Sequence, residues 1–274
     1  MRRKRRIRRL LAAIAACFFG CLLLLMATQQ INRVQIREIV FEGNLHYDTA
    51  TLSELSPVRV GDAMFRFDPE AATGSMLEAL PYLRELQWET SLRGVLRVSV
   101  QERQINWALR FEDEGGVRYW LLDEQLVAVE MVAFVPAQVC MVDYVQSVEP
   151  SVGESLKEAA IRADREAKEA KEEGGALAAV QQLEEYLSVL ALHFAAASPN
   201  DRPAVFEASA PYEKVLILQD GTRYLLGAAR ELQEQLSLAD TAAAAYRAQH
   251  PGALVSVDVK DPARIYVRET ADMP

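Results

Sequence analysis

The feature that most constrains this chain is its first 30 residues. Seven basic residues precede position 10, and no charged side chain occurs from residue 10 to residue 28. This uncharged run of 19 residues is close to the ~20 that a helix needs to cross a bilayer core. Basic residues ahead of a span hold that end in the cytoplasm. The sequence therefore predicts a basic cytoplasmic tip at 1–9, a transmembrane helix at 10–30, and an extracytoplasmic remainder.

Two alternatives to a permanent anchor remain open at this point. A cleaved export signal has a shorter apolar region that ends in a small-x-small site, and "LLLLMATQQ" contains no clear one. A lipid anchor at Cys17 is suggested by "IAAC", but the apolar "FFGCLLLL" follows it directly. We expect the span to be retained as a single-pass anchor.

The part of the chain beyond the span is strongly acidic. Lys and Arg total 30 and seven of them lie before the span, so 23 basic residues face 39 acidic ones, a net charge of −16. Nucleic acid is a poor partner for such a surface. Cys140 is the one cysteine beyond the span, so no intrachain disulfide is expected there. In "VCMV" we expect it to be a core residue, the alternative being an exposed reactive thiol.

The segment 34–103 predicts the order strand, helix, helix, strand, strand. "VQIREIVFEGN" is a β-rich run that ends at a Gly-Asn turn, and "YDTATLSEL" offers Asp48 or Thr49 as a helix cap. Asp68 followed by Pro69 begins a second helix. "LRELQWET" and "VLRVSVQER" then read as strands, the second with one apolar face.

Residues 104–270 predict a second, β-rich domain with helices packed on its sheet. The predicted strands are "WALRF", "RYWLLD", "LVAVEMVAF", a hairpin in "KVLILQDGTRYLLG", and two strands in "ALVSVDVKDPARIYVRE". "ALAAVQQLEEYLSVLALHF" and "ARELQEQLSLADTAAAAYRAQ" predict helices. An Ala/Glu/Lys-rich insertion at 155–175 almost lacks an apolar stripe, so we expect a solvated helix or partial disorder there, with a docking helix as the alternative.

This order resembles the FtsQ/DivIB family of bacterial cell-division proteins, single-pass membrane proteins with a POTRA domain. The residues that carry the resemblance are "FEGN" from Phe41 to Asn44, "VGDAMFRFD" with Gly61, Phe65 and Asp68, then Pro81, Glu102-Arg103, and "WLLDEQLVAVE" with Asp123. The resemblance implies an α+β fold with a POTRA domain of β-α-α-β-β order. It also implies an inner-membrane protein of the division septum.

The resemblance further implies that FtsB-type and FtsL-type partners bind at the last strands. In similar proteins these strands form a sheet edge to which a partner segment adds. By position the partner-binding residues are Arg223, Val257, Val259, Lys260, Ile265, Tyr266 and Arg268. The competing interpretation is that the apolar residues among them belong only to the core. Other divisome proteins are expected at the POTRA domain and the span.

The sequence contains no motif that predicts catalysis, a cofactor or a metal. It has three histidines at no ligand spacing, and no HExxH, GxSxG, Walker or CxxC pattern. A carboxylate pair such as Asp220 and Asp258 proves little on so acidic a surface. We therefore do not expect an enzyme, and the resemblance to the FtsQ/DivIB family implies a scaffold that links early and late division proteins and regulates septal wall synthesis. The alternative is a POTRA-containing receptor or chaperone for protein export or outer-membrane assembly.

Overall fold

The computed structural model describes residue 20 and the segments 34–113, 115–144, 148–170, 174–210, 213–227 and 231–270. Its contacts divide the chain into two compact units, Met1–Arg103 and Gln104–Pro274. The predicted tip at 1–9 lies outside the described residues, as does the predicted span at 10–30 apart from residue 20. Among the residues described, no helix combines the length and apolar character that a membrane crossing requires.

The first unit is a three-stranded sheet with two helices. Its elements are β1 Glu38–Glu42, α1 Thr49–Leu55, α2 Pro69–Ala79, β2 Leu83–Thr90 and β3 Val95–Glu102. The strand order is β1-β3-β2, with β1 parallel and β2 antiparallel to the central β3. The predicted order of strand, helix, helix, strand, strand is therefore confirmed.

Local sequence signals explain where these helices begin and which strand face is buried. Asp48 caps α1 by accepting from the Thr51 amide, and Asp68 caps α2 just before its first-turn proline. In β3, Leu96 and Val98 are fully buried while Arg97 between them is exposed. The period of two in the sequence thus selects the core face of this sheet.

One carboxylate ties the loop after β1 to the end of β3. The Glu102 carboxylate accepts the backbone N–H groups of Leu45, His46 and Tyr47 at 2.9, 2.6 and 3.1 Å. The chain reaches this position through Gly43, which has φ +91°. A Cβ there would lie 2.6 Å from the Val100 carbonyl oxygen, so only glycine fits. Two motifs nearly 60 positions apart in the sequence therefore form one structural feature.

The second unit contains a nine-stranded mixed sheet. Its strands are β4 Ile105–Asp113, β5 Gly116–Asp123, β6 Ala128–Val132, β7 Cys140–Asp143, β8 Pro203–Ala210, β9 Glu213–Leu218, β10 Arg223–Leu226, β11 Val255–Asp258 and β12 Tyr266–Glu269. The order across the sheet is β12-β11-β10-β9-β8-β7-β4-β5-β6. The predicted strands and hairpin are present, while β7 and β8 are strands that the sequence did not indicate.

Three helices cover one face of this sheet. They are α3 Leu156–Ala170, α4 Ala176–His193 and α5 Leu232–Gln249, and a short 3-10 turn spans Pro199–Asp201. The predicted apolar stripe of α4 is buried at Val180, Leu183 and Leu187. These side chains share one core with the inward residues of the strands. The opposite face of the sheet is not covered by a described helix.

The insertion at 155–175 is helical, as one of the two expectations had it, but its first turns are packed rather than solvated. It forms α3, whose Leu156, Ala159 and Ala160 are buried in the same core as α4. Alanines allow α3 and α4 to approach each other without large apolar side chains. An apolar stripe in the sequence is therefore not needed for this contact. Asp164 of α3 also accepts the first backbone N–H groups of α4.

We predict that Glu102→Gln destabilises the first unit by about 1 kcal/mol, because an amide NH₂ replaces an acceptor facing three backbone donors. The measurement is the midpoint of urea denaturation. Gln101→Ala is the matched control, since Gln101 is exposed on the same strand. Equal midpoints for both variants would contradict the proposed tie.

We predict that the stabilisation from Asp164 is lost in acid. Three backbone N–H groups at the start of α4 lower the pKa of this carboxyl. Because the folded pKa is below the unfolded value of about 3.9, the stabilisation is present above that value and disappears as pH falls through the folded pKa. Asp164→Ala should lower the thermal midpoint at pH 7, with a difference that shrinks toward pH 3. Glu169→Gln, on the exposed surface of α3, is the control.

Candidate partner-binding edge

The terminal strand β12 forms one edge of the nine-stranded sheet. It pairs antiparallel with β11 in the register Ser256↔Arg268 and Asp258↔Tyr266. In the described part of the chain no strand lies on its other side. An edge strand presents unpaired N–H and C=O groups, which a second chain can extend by adding a strand. The geometry thus provides a site for an extended peptide.

The register places a set of polar and apolar side chains on the face away from the helices. One cross-strand row contains Arg223, Ser256 and Arg268, and the next contains Leu225, Asp258 and Tyr266. These residues alternate along their strands with core residues such as Tyr224 and Val257. We call these six residues the edge face. Neighbouring strands are about 4.8 Å apart, so Arg223 and Arg268 lie roughly 10 Å apart across two spacings.

Arginines of the edge face have no acidic partner among the described residues. Neither Arg223 nor Arg268 forms an ion pair there, and the Nε of Arg223 is buried without an acceptor. A buried guanidinium donor without a partner is costly. The edge face therefore favours a ligand that brings a carboxylate to these arginines.

Besides the two arginines, the structure separates the other five predicted partner-binding residues into three groups. Tyr266 is 52 % exposed and Ile265, just before β12, is also exposed. Lys260 is half-buried, and its Nζ pairs with Glu213. Val257 and Val259 are fully buried, so any part they play in binding is to hold the edge in place.

Sequence reasoning missed three of the six residues of the edge face. Ser256, Asp258 and Leu225 share it with the predicted residues, although none of the three was predicted. The alternation in "VSVDV" contained this signal, because its valines and its polar residues must point to opposite faces.

A polar network lies behind the strands of this edge, on the helix side. The Asp240 carboxylate of α5 accepts from Tyr224 Oη at 2.7 Å and lies 2.7 Å from His193 Nε2 of α4. Burial and the hydrogen bond to Asp240 raise the pKa of Tyr224. Arg247 of α5 binds Asp220 at 2.6 Å in the turn before β10. The network therefore joins α4 and α5 to β10, the strand next to β11.

The residues that could suggest chemistry have structural surroundings. His46 stacks on Tyr82 at 3.7 Å, and His250 stacks on Tyr246 at 4.5 Å between ring centroids. Burial raises the pKa of Cys140 to about 12, so its thiol stays protonated at neutral pH. Over the described segments, no group of three or more His, Cys, Asp or Glu residues could hold a metal ion.

The first unit has a second surface suited to a peptide. An open groove runs between α2 and β2, the latter being an edge strand, and its wall includes Gly74, Leu77, Leu86 and Trp88. The Trp88 indole is fixed by donating to Thr73 Oγ1 at 2.8 Å. Gly74 has open space where a Cβ would lie. The groove thus combines apolar walls with a free strand edge.

Comparison with known proteins gives two results on the whole chain. No curated protein matches it. Among solved structures, it is similar to the major extracytoplasmic domain of the trans isomer of the bacterial cell division protein DivIB from Geobacillus stearothermophilus. The identity is 9 %, the alignment covers 50 % of this chain and 87 % of that chain, and the TM-score is 0.27. So low a TM-score carries no weight for the assignment.

The assignment comes from the first unit. Residues 34–103 match the family model of the FtsQ-type POTRA domain. The matched segment coincides with the described elements of the first unit, from β1 to β3. Residues 34–103 therefore match an FtsQ-type POTRA domain, which confirms the resemblance to the FtsQ/DivIB family over this segment.

Proposed function

We propose that this protein is a single-pass membrane scaffold of the bacterial division machinery. The FtsQ-type POTRA domain supports a role in division. The basic tip and the uncharged run at 10–28 support an inner-membrane anchor with its N-terminus in the cytoplasm. The bulk of the chain then lies outside the cytoplasm at the division septum. The protein acts by binding and positioning other proteins, and the partners carry the effect on septal wall synthesis.

The observation that carries the proposal is the free side of β12. An extended segment of an FtsB-type partner, held together with an FtsL-type protein, adds to this side as a further strand. Backbone hydrogen bonds supply affinity, and alternate side chains supply selectivity. Tyr266 offers a large exposed ring at the same edge. Aromatic and arginine side chains are enriched among residues that dominate binding energy.

The charges of the edge face indicate the chemistry of the partner strand. The protein beyond the predicted span is acidic, with a net charge of −16. Arg223 and Arg268 nevertheless lie on one cross-strand row without acidic partners in the described residues. We infer that the added strand places an acidic side chain beside Arg268, at the outer end of the row that also contains Arg223. Such a pair selects both the partner and its register.

The POTRA groove supplies a second binding surface in this proposal. Other divisome proteins add a strand at the free edge of β2 and place an apolar side chain against Leu77 and Trp88. The two surfaces belong to different units, so each partner can be lost without the other. This separation is what a scaffold that links early and late division proteins requires.

We predict that Tyr266→Asp weakens binding of the FtsB-type extracytoplasmic segment at least tenfold, about 1.4 kcal/mol. The measurement is a titration of the full chain in detergent with that segment. Phe134→Asp is the matched control, because Phe134 is an exposed aromatic residue elsewhere in the second unit. Circular dichroism checks that both variants are folded.

Two results would count against the proposal in different ways. If Tyr266→Asp binds as tightly as the unchanged protein, the terminal edge is not the site. If the folded, unchanged protein binds neither the FtsB-type nor the FtsL-type segment, the export-receptor function gains support, and the POTRA match describes fold alone.

We also predict that Gly74→Glu blocks the POTRA groove without destabilising α2. The new side chain enters open space, and glycine is a poor helix former. The measurement is the fraction of fluorescently tagged protein at midcell, which should fall at least twofold. Ser75→Glu is the control, since Ser75 is exposed on α2 but does not line the groove. Equal midcell fractions would contradict a recruiting role for the groove.

A further inference from the structure

The POTRA domain has one end at which the chain arrives from the predicted membrane span. The segment 34–36 pairs with the loop after α1, through Met64 N to Val34 O at 2.8 Å and Ile36 N to Asp62 O at 2.8 Å. Arg37 N donates to Gly94 O at 2.7 Å, which adds the β2–β3 turn to the same end. We call the segments 34–37, 56–68 and 90–95 the entry end. The chain leaves the domain after β3, at the opposite end.

The entry end exposes apolar side chains that a soluble surface does not require. Val60 is 63 % exposed, Phe65 40 % and Leu92 73 %. They lie in two different loops, and both loops are fixed to the segment 34–37 by backbone hydrogen bonds. The apolar groups are therefore presented together on rigid backbone next to the point of chain entry.

The same end is basic although the part of the chain beyond the predicted span is acidic overall. The entry end contains four arginines and two aspartates, with no lysine or glutamate. All four arginines, Arg37, Arg59, Arg66 and Arg93, are exposed. Within the described segments, Arg37, Arg66 and Arg93 form no ion pair. An acidic protein thus presents a net positive charge, mixed with apolar side chains, at one end.

The distance to the predicted span identifies what this end faces. Residue 34 follows the end of the span at residue 30 by four residues, so at most about 14 Å of extended chain separates them. The headgroup layer beyond the hydrocarbon core is itself about 5–7 Å thick. Arginine heads with apolar neighbours are the composition that binds at this layer.

We propose that the entry end of the POTRA domain rests on the outer surface of the inner membrane. Val60, Phe65 and Leu92 enter the interfacial layer, and the arginines bind lipid phosphates. This contact fixes the orientation of the domain relative to the bilayer, so that its opposite end points away from the membrane. The inference rests on the membrane anchor in the proposed function and adds a lipid-binding surface to it.

The test is lipid quenching of site-specific fluorophores on the full chain in nanodiscs that contain phosphatidylglycerol. Cys17 and Cys21 are replaced by alanine, and Cys140 is kept because its thiol stays protonated. A fluorophore attached through Phe65→Cys should be quenched by headgroup-labelled lipids at least twofold more than one attached through Leu45→Cys. Leu45 is the matched control, because it is 93 % exposed at the opposite end of the sheet.

Two further comparisons test whether the arginines contribute to this contact and whether lipid or protein covers the entry end. Adding Arg66→Glu with Arg93→Glu should reduce the quenching at position 65, as should replacing phosphatidylglycerol by phosphatidylcholine. Equal quenching at positions 65 and 45 would overturn the proposal. The proposal would also be overturned if position 65 were covered in native membranes but not in pure lipid. A protein, and not the bilayer, would then cover this end.

A third label separates this inference from the anchor itself. With Cys21 retained as the labelled thiol, quenching by lipids labelled in the acyl chain reports whether the predicted span is in the bilayer, because residue 21 lies near the middle of that span. Quenching at Cys21 without quenching at position 65 rejects the lipid contact and leaves the anchor intact. Absence of quenching at Cys21 rejects the anchor, and with it the scaffold function proposed above.

Discussion

Pairing of β12 with β11 is the interaction on which the candidate function depends. This antiparallel pairing places Val267 opposite the buried Val257, and it thereby places Tyr266 and Arg268 on the other face. Because side chains alternate along a strand, a shift of one residue would exchange the core and the edge face. The buried valines therefore determine which residues a partner meets. Alternation along the strand thus assigns stability to the residues of one sheet face and recognition to those of the other.

The sheet face that carries the edge face has no described helix on it because of how the helices are distributed. All three helices of the second unit pack on one face, and Tyr224, Asp240 and His193 join two of them to β10 by hydrogen bonds. This arrangement fixes β10, two strands in from the edge, to both helices. A rigid edge binds an extended peptide with a smaller entropic cost than a mobile one does. The fold therefore suits a protein that positions others.

Much of this fold could be predicted because local signals agree with it. The Asp-Pro cap of α2, the alternation in β3 and the turn at Gly221 each predicted the correct element. Helix α3 could not be predicted as packed, because its contacts use alanines rather than large apolar residues. Strand β8 follows a helix and a 3-10 turn, and its parallel pairing with the distant β7 leaves no local trace.

The candidate site was only partly predictable, because it combines residues that are distant in the sequence. The resemblance located the last strands, but it did not distinguish core valines such as Val259 from surface residues such as Tyr266. Arg223 and Arg268 are 45 positions apart in the sequence, and only the register brings them to one cross-strand row. The tie between Glu102 and the loop at Leu45 is equally non-local.

Hydrogen exchange of the β12 amides tests the central claim most directly. The full chain is compared with and without the FtsB-type extracytoplasmic segment, and exchange is followed at residues 266–269. Addition of a strand to this edge predicts that outward-facing amides of β12 become protected when the segment binds, while amides of the POTRA domain do not change. Binding that leaves exchange at 266–269 unchanged would contradict the account, because the partner would then be held elsewhere.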